Sequence, residues 1–94
     1  MSEAVRLQDP EEKLDHELDW SAWLAQGDTL AGSVWSIDPE GPTLDEADPP
    51  ITGTITTIWL SDVAFGQVYQ LRNRVTTDAG RTGERSITIR GWVE

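Results

Sequence analysis

The clearest alternation of apolar and polar side chains lies in residues 68–90. The sequence Asp78-Ala79-Gly80 suits a three-residue β-hairpin loop, in which a type I turn is followed by glycine in the left-handed region. This loop sets the register of two predicted strands, residues 68–77 and 81–90. The predicted cross-strand pairs are Thr77–Arg81, Leu71–Ile87, Tyr69–Ile89, Arg74–Glu84 and Gln70–Thr88. A slip of one residue would exchange the two faces of the hairpin, so the apolar pattern favours this register.

The same alternation occurs near the beginning of the chain. In residues 13–20, Leu14, His16, Leu18 and Trp20 alternate with three acidic residues, which predicts a first strand with an acidic outer face. Asp19 is then placed to cap a short turn of helix that ends at residues 26–28, with Trp20, Trp23 and Leu24 on one side. We therefore expect a short helical corner after the first strand.

The middle of the chain has two further strand patterns. Residues 29–37 predict a second strand with a bulge near Gly32, because their apolar positions change phase there. Residues 38–50 hold four of the five prolines and five acids, which predicts an exposed loop with at most a short edge strand at residues 43–45. Residues 51–60, rich in Thr and Ile, predict a central strand, and Gly66 marks the turn into the hairpin.

Short strands at close intervals predict an all-β fold, a small immunoglobulin-like β-sandwich with a short helical corner. Tyr69 lies early in the penultimate strand, where such folds often hold a structural tyrosine. We place this domain at residues 13–94. Residues 1–12 are polar and acidic, with Val5 and Leu7 as their larger apolar residues, and predict an extended, flexible acidic N-terminal arm that a partner must order.

The net charge of −10 over 94 residues is unevenly distributed. Residues 1–48 carry thirteen of the seventeen acids with one Arg and one Lys, whereas residues 49–94 carry four acids and five arginines. Such a chain is a poor ligand for free nucleic acid. The split has two interpretations, a solvated acidic face that confers solubility, or docking of one subunit's acidic part on a neighbour's arginines. No signal peptide, apolar span or cysteine is present, so we expect a soluble protein that is assembled in a cytoplasm and has no membrane partner.

Catalytic and metal-binding patterns are weak. His16 is the one histidine, and an adjacent Asp15 on a strand points to the opposite face, so a triad with Ser21 fails on geometry. Asp45, Glu46 and Asp48 lack the spacing and the glycine of a calcium loop, and a solvated acidic loop is the better interpretation. The sequence therefore predicts neither an enzyme nor a bound cofactor or metal.

Five of the seven aromatic residues are tryptophans. Trp20, Trp23, Trp35 and Trp59 have apolar neighbours along the chain and are predicted to form the core. Trp92, by contrast, is predicted to lie on the outer face of the hairpin, beside arginines, where it either covers Gly66 or serves as a binding anchor. The predicted interface residues are Arg72, Arg74, Arg90 and Trp92, together with the acidic Glu11, Glu12, Asp15 and Glu17 as their counterparts on an adjacent subunit.

Three segments in order carry a family resemblance: LDWSAWLAQGDTLAGSVW at residues 18–35, TIWLSD at residues 57–62 and YQLRNRVTTDAGRTGERSITIR at residues 69–90. They resemble the small tailed-bacteriophage virion proteins described as fiber-tail adaptor proteins, over residues 14–93. The resemblance implies a non-enzymatic structural subunit of a virion, at the tail or the head-tail junction, in several symmetry-related copies that contact other virion proteins.

Two alternatives stay open at this point. One is an immunoglobulin-like capsid decoration protein, which would be present in far more copies per particle than an adaptor. The other is a carbohydrate-binding module, for which tryptophan on the surface would be the characteristic feature. Copy number separates the first from an adaptor, and glycan binding by the isolated domain would identify the second.

Overall fold

The computed structural model describes residues 5–92, which form β-strands in two sheets. The strands are β1 (Val5–Gln8), β2 (Leu14–Asp19), β3 (Leu30–Asp38), β4 (Thr43–Thr52), β5 (Ile55–Ser61), β6 (Val68–Thr77) and β7 (Thr82–Gly91). One sheet has the order β1-β7-β6-β3 and the other the order β2-β5-β4. The all-β prediction is confirmed, and the two sheets pack face to face as in a β-sandwich.

The β6–β7 hairpin has the predicted register. Leu71 lies opposite Ile87 and Tyr69 opposite Ile89, with all four side chains buried. In the loop, Gly80 has a φ of 89°, and its N–H donates to the Thr77 carbonyl at 3.0 Å. The loop residues and the apolar pattern of the two strands therefore specify the same register, as the sequence predicted.

The core is built from inward side chains of both sheets. Leu18, Ile58 and Leu60 of the smaller sheet meet Leu71, Val75, Ile87 and Ile89 of the larger one. A buried polar group crosses between the sheets, since Asn73 Oδ1 accepts hydrogen bonds from Trp20 Nε1 at 2.9 Å and from Thr56 Oγ1 at 2.6 Å. Tyr69 fills its predicted structural position, where its phenol oxygen accepts the Ala64 N–H at 3.0 Å.

The predicted strand at residues 51–60 is wrong in its extent. A turn at Gly53, which has a φ of 61°, separates the end of β4 from β5. The bulge predicted near Gly32 is confirmed by a register shift between Leu30 and Gly32. β4 in turn runs through the region predicted as a loop, with a register break between Glu46 and Ile51. Proline lacks an N–H group but is tolerated on an edge strand and at a bulge, which explains a strand where prolines predicted none.

The helical corner is also wrong. Residues 20–28 form turns, and no helix is present in residues 5–92. The N–H groups of Trp23 and Leu24 both donate to the Trp20 carbonyl, at 3.0 and 3.1 Å, which makes one turn without continuation. Trp20 itself is buried in the core, and its backbone N–H donates to the Thr54 carbonyl at 2.8 Å. Tertiary packing thus overrides the local helical pattern.

The extended acidic arm is not supported, because Val5–Gln8 is a strand of the larger sheet. β1 runs parallel to β7, with Val5 opposite Thr88 and Gln8 opposite Gly91. Gln8 is 1% exposed, and its Nε2 donates to the Leu60 carbonyl at 2.8 Å. Because β7 is so distant in the sequence, the composition of residues 5–8 does not indicate that they pair with it. The mobility of residues 1–12 in a free subunit and the domain boundary at residue 13 stay predictions, and residues 1–4 lie outside the described part.

Candidate interaction surfaces

The outer face of the β1-β7-β6-β3 sheet, here called the arginine face, carries three predicted interface residues. Arg72 is half-buried, and Arg74 and Arg90 are exposed. Glu84 lies opposite Arg74 in the register as predicted. Within residues 5–92, however, the single ion pair joins Lys13 Nζ and Asp45 Oδ2 at 3.0 Å, on the other sheet. The three guanidinium groups thus have no carboxylate partner among the described residues.

Trp92 is 38% exposed and lies among other exposed apolar side chains at one end of the arginine face. Phe65 stacks on it, with ring centroids 5.3 Å apart and planes inclined by 20°. The Arg90 guanidinium lies 4.7 Å from the Trp92 ring centroid, and Leu7 and Val68 flank Arg90 in the register. We call this surface the Trp92 patch, and its apolar members are Val5, Leu7, Phe65, Val68 and Trp92. Clustered exposed apolar side chains of this kind are typical of protein contact surfaces.

Sequence reasoning found Trp92 and Arg90 but missed the other members of the Trp92 patch. Val5 and Leu7 join it through the parallel pairing of β1 with β7, which has no local signal. Phe65 joins it because the turn before β6 folds over the end of β7, where the Gly66 N–H donates to the Gly91 carbonyl at 2.7 Å. An apolar residue in a turn next to a glycine was the available hint.

A cleft of about 350 Å³ beside the Trp92 patch brings predicted residues together within one chain. It is lined by Leu7, Asp9, Glu11, Glu12 and Trp92. Its acidic wall is a tight turn, in which the Glu12 N–H donates to the Asp9 carbonyl at 2.9 Å and the Glu11 N–H to Asp9 Oδ1 at 2.8 Å. Glu11 and Glu12 therefore lie beside Trp92 of their own subunit.

Asp15 and Glu17 lie elsewhere, on the outer face of the β2-β5-β4 sheet, here called the acidic face. In the register, Trp59 of β5 has Asp15 of β2 on one side and Asp45 of β4 on the other. Trp59 is 37% exposed, so its predicted place in the core is wrong. Ile58 and Leu60 take the inward positions of β5, and the strict alternation of a strand turns Trp59 outward.

The other tryptophans predicted for the core do pack against it. Trp20 is 1% exposed, and Trp23 and Trp35 are partly buried against the core cluster. Trp20 and Trp23 meet edge to face, with centroids 5.2 Å apart. The prediction thus holds for three of its four members.

His16 is buried between β1 and β2, while Asp15 is exposed on the opposite side of the strand, as the alternation predicted. The imidazole Nδ1 faces Arg6 Nη1 at 3.3 Å, and its Nε2 faces Gln8 Oε1 at 2.8 Å. Since arginine can only donate, Nδ1 accepts and Nε2 donates, which is the pattern of a neutral ring. Burial, and secondly the charge of Arg6, lowers the pKa of His16. The side chain joins β1 to β2.

Asp45, Glu46 and Asp48 line a shallow depression with Lys13 and Trp59. Asp45 is engaged by Lys13 there. Within residues 5–92, no group of three or more histidine, cysteine or acidic side chains is placed to hold a metal ion. The same residues contain no helix of the length and hydropathy that crossing a membrane requires.

These surfaces belong to a small two-sheet β protein with exposed aromatic and charged side chains on both outer faces. The chain belongs to a phage adaptor family: the family model described as Podophage GP4 fiber-tail adaptor protein gp77 matches residues 8–90. The resemblance predicted from the sequence is thereby confirmed, and with it a structural role in the phage tail. A comparison with curated proteins finds no match.

Proposed function

We propose that this protein is a non-enzymatic structural subunit of the virion that helps attach fibers or other components to the tail, at the tail or the head-tail junction. It is assembled in the host cytoplasm and acts in several symmetry-related copies. The observation that carries this proposal is the Trp92 patch, an exposed apolar cluster around a stacked aromatic pair in a chain of the fiber-tail adaptor family.

The strand order supports the immunoglobulin-like part of the fold assignment. Strands β2, β5 and β4 share one sheet and β3, β6 and β7 the other, which is the grouping of strands B, E, D and C, F, G in immunoglobulin domains. The Tyr69 hydroxyl, bound to backbone five residues upstream at the start of the penultimate strand, matches the tyrosine corner of such domains.

The contact surface we propose combines the Trp92 patch with Arg72, Arg74 and Arg90, which meet carboxylates of an adjacent virion subunit. Arginine suits this role because its planar fork holds a carboxylate by two hydrogen bonds and tolerates partial burial. Ion pairs left at the rim contribute roughly 0–1 kcal/mol each, whereas a desolvated aromatic anchor is worth about 2 kcal/mol or more. Affinity therefore depends mainly on Trp92 and on the arginines that become buried.

Complementation of a phage that lacks this gene tests the proposal. We expect Trp92→Ala and Arg72→Glu to fold normally, since both positions lie outside the core, and to be missing from purified particles. Gln26→Ala is the control for substitution of an exposed side chain, because Gln26 lies in the turns after β2 and belongs neither to the Trp92 patch nor to a strand that carries these arginines. Normal incorporation of both test variants would place the interface elsewhere.

A further inference from the structure

Three of the five tryptophans have an arginine guanidinium stacked on the ring within residues 5–92, while Trp35 packs against the core without one. The guanidinium carbon of Arg81 lies 4.5 Å from the ring centroid of Trp23. That of Arg85 lies 4.6 Å from the centroid of Trp20, and that of Arg90 lies 4.7 Å from the centroid of Trp92. Trp59 is exposed, yet no guanidinium of residues 5–92 covers it. It differs from the paired rings in its neighbours, since carboxylates flank it on both adjoining strands.

The row Asp15–Trp59–Asp45 has the chemistry to receive a guanidinium from outside the chain. The ring offers its negative face for cation–π stacking, and a carboxylate on either side offers acceptors for the N–H fork. Asp45 is bound to Lys13 through Oδ2, at an exposed contact, which leaves its other oxygen for a second donor. The two carboxylates lie two strand spacings apart, on the order of 10 Å.

The chain itself has the complementary group. Arg72 and Arg74 stack on no ring and pair with no carboxylate among the described residues. They point outward from the same strand, about 7 Å apart along it, so their long side chains can reach both members of the carboxylate row. The cross-strand neighbours of Arg72 are the small residues Ser36 and Ser86, and Arg72 itself is half-buried.

We infer that the acidic face of one copy, centred on Trp59, binds the arginine face of a second copy at Arg72 and Arg74. The two faces are on opposite sides of the molecule, so this contact is head to tail and repeats from copy to copy. The inference rests on the proposed function in naming the adjacent subunit, and it assigns to Trp59, Asp15 and Asp45 a role in self-association. The Trp92 patch is left for a different virion protein.

Two complementary variants of the full chain test this contact by native mass spectrometry and sedimentation at low salt. The wild type is expected to form oligomers that grow with concentration. Arg72→Glu with Arg74→Glu removes one face, and Asp15→Arg with Asp45→Arg removes the other, so each variant alone is expected to lose every species above the monomer. Glu40→Arg is a charge control for Asp15→Arg, since it makes the same change in an exposed loop, and it should oligomerise as the wild type does.

Mixing the reversed variants gives the decisive result. Each keeps one intact face, and the reversed faces are complementary in charge, so the mixture is expected to recover association that neither variant shows alone. A wild type that stays monomeric at every concentration, or face variants that oligomerise normally, would overturn the inference. Such a result leaves the proposed function intact, because exclusion of Trp92→Ala and Arg72→Glu from particles can also arise from contact with a different virion protein.

Discussion

His16 makes the attachment of the first strand sensitive to a single proton. Its neutral ring accepts from Arg6 and donates to Gln8, and both partners belong to β1. A proton on Nδ1 would remove the acceptor that Arg6 uses and place two positive groups side by side. The lowered pKa of His16 therefore reports how much the folded state prefers the neutral ring.

This preference gives a pH dependence of stability with a definite sign. Because the pKa of His16 is lowered from 6.5, the unfolded chain binds the proton first, and stability decreases as pH falls below 6.5. We expect the thermal midpoint of the wild type to fall between about pH 7.5 and pH 5.5, and that of His16→Gln to change much less. Hydrogen bonds are the main cause that lowers the pKa values of Asp19 and Asp28 from 3.8, so these two groups affect the stability only in more acidic solution. An equal decrease of the thermal midpoint in the wild type and in His16→Gln, between about pH 7.5 and pH 5.5, would contradict the prediction.

At the scale of single residues, the alternation pattern was informative wherever the strand phase was unambiguous. It placed Asp15 and His16 on opposite sides and Tyr69 inward. It did not place Trp59, because residues 51–60 have apolar side chains in both phases and only the packed partner sheet decides between them. Asn73 could also have indicated a buried polar contact between the sheets. A polar side chain at an inward position between Leu71 and Val75 requires buried hydrogen-bond partners.

At the scale of elements, the end of β7 depends on close approach of another segment. The Gly91 N–H donates to the Gln67 carbonyl at 2.9 Å, and a Cβ on Gly91 would lie 1.9 Å from the Ala64 carbonyl oxygen. That oxygen belongs to backbone and cannot rotate away. The turn that carries Phe65 is therefore seated directly on a glycine of the last strand.

Two glycine substitutions should consequently differ in their cost. Gly91→Ala displaces the backbone of the turn, and we expect it to lower the free energy of unfolding by about 3 kcal/mol. Gly32→Ala meets only Thr76 Oγ1, at 2.8 Å, a hydroxyl that can change rotamer, so about 1 kcal/mol is expected. Urea denaturation measures both. An equal loss of unfolding free energy for Gly32→Ala and Gly91→Ala would contradict this expectation.

Elements were predictable to the extent that their signals are local. The β6–β7 hairpin carries its own turn and its own pairing partner, and β6 was predicted at both ends. β4 was predicted at most as a short edge strand at residues 43–45, because its prolines argue against a strand. β1 was not predicted, because its partner β7 is remote in the sequence. The helical corner failed for the same reason, since Trp20 is bound to Asn73 of the opposite sheet.

At the scale of the whole molecule, salt should act in opposite directions on the fold and on the self-association. Asp15, Glu17 and Asp19 occupy successive outward positions of β2 in a chain of net charge −10. Screening over a Debye length of about 10 Å at 0.1 M salt reduces their repulsion, so we expect the thermal midpoint of the dilute monomer to rise with salt. The same screening weakens the contact between acidic and arginine faces.

A single variant tests the predicted effect of salt on the thermal midpoint of the monomer. Glu17→Gln removes one of the three repelling charges without changing the shape of the side chain. We expect it to raise the midpoint at low salt and to reduce the further gain from added salt. A midpoint of the wild type that falls on addition of salt would show that attraction, and not repulsion, dominates the electrostatics of the folded monomer.

The parallel pairing of β1 with β7 also sets the order in which the molecule can be completed during synthesis. Val5 pairs with Thr88, roughly eighty positions later, so β1 emerges from the ribosome long before its partner exists. The cleft between Leu7 and Trp92 is consequently absent from every unfinished chain. A partner that binds this cleft would therefore recognise only a subunit that has been translated through Trp92 and folded.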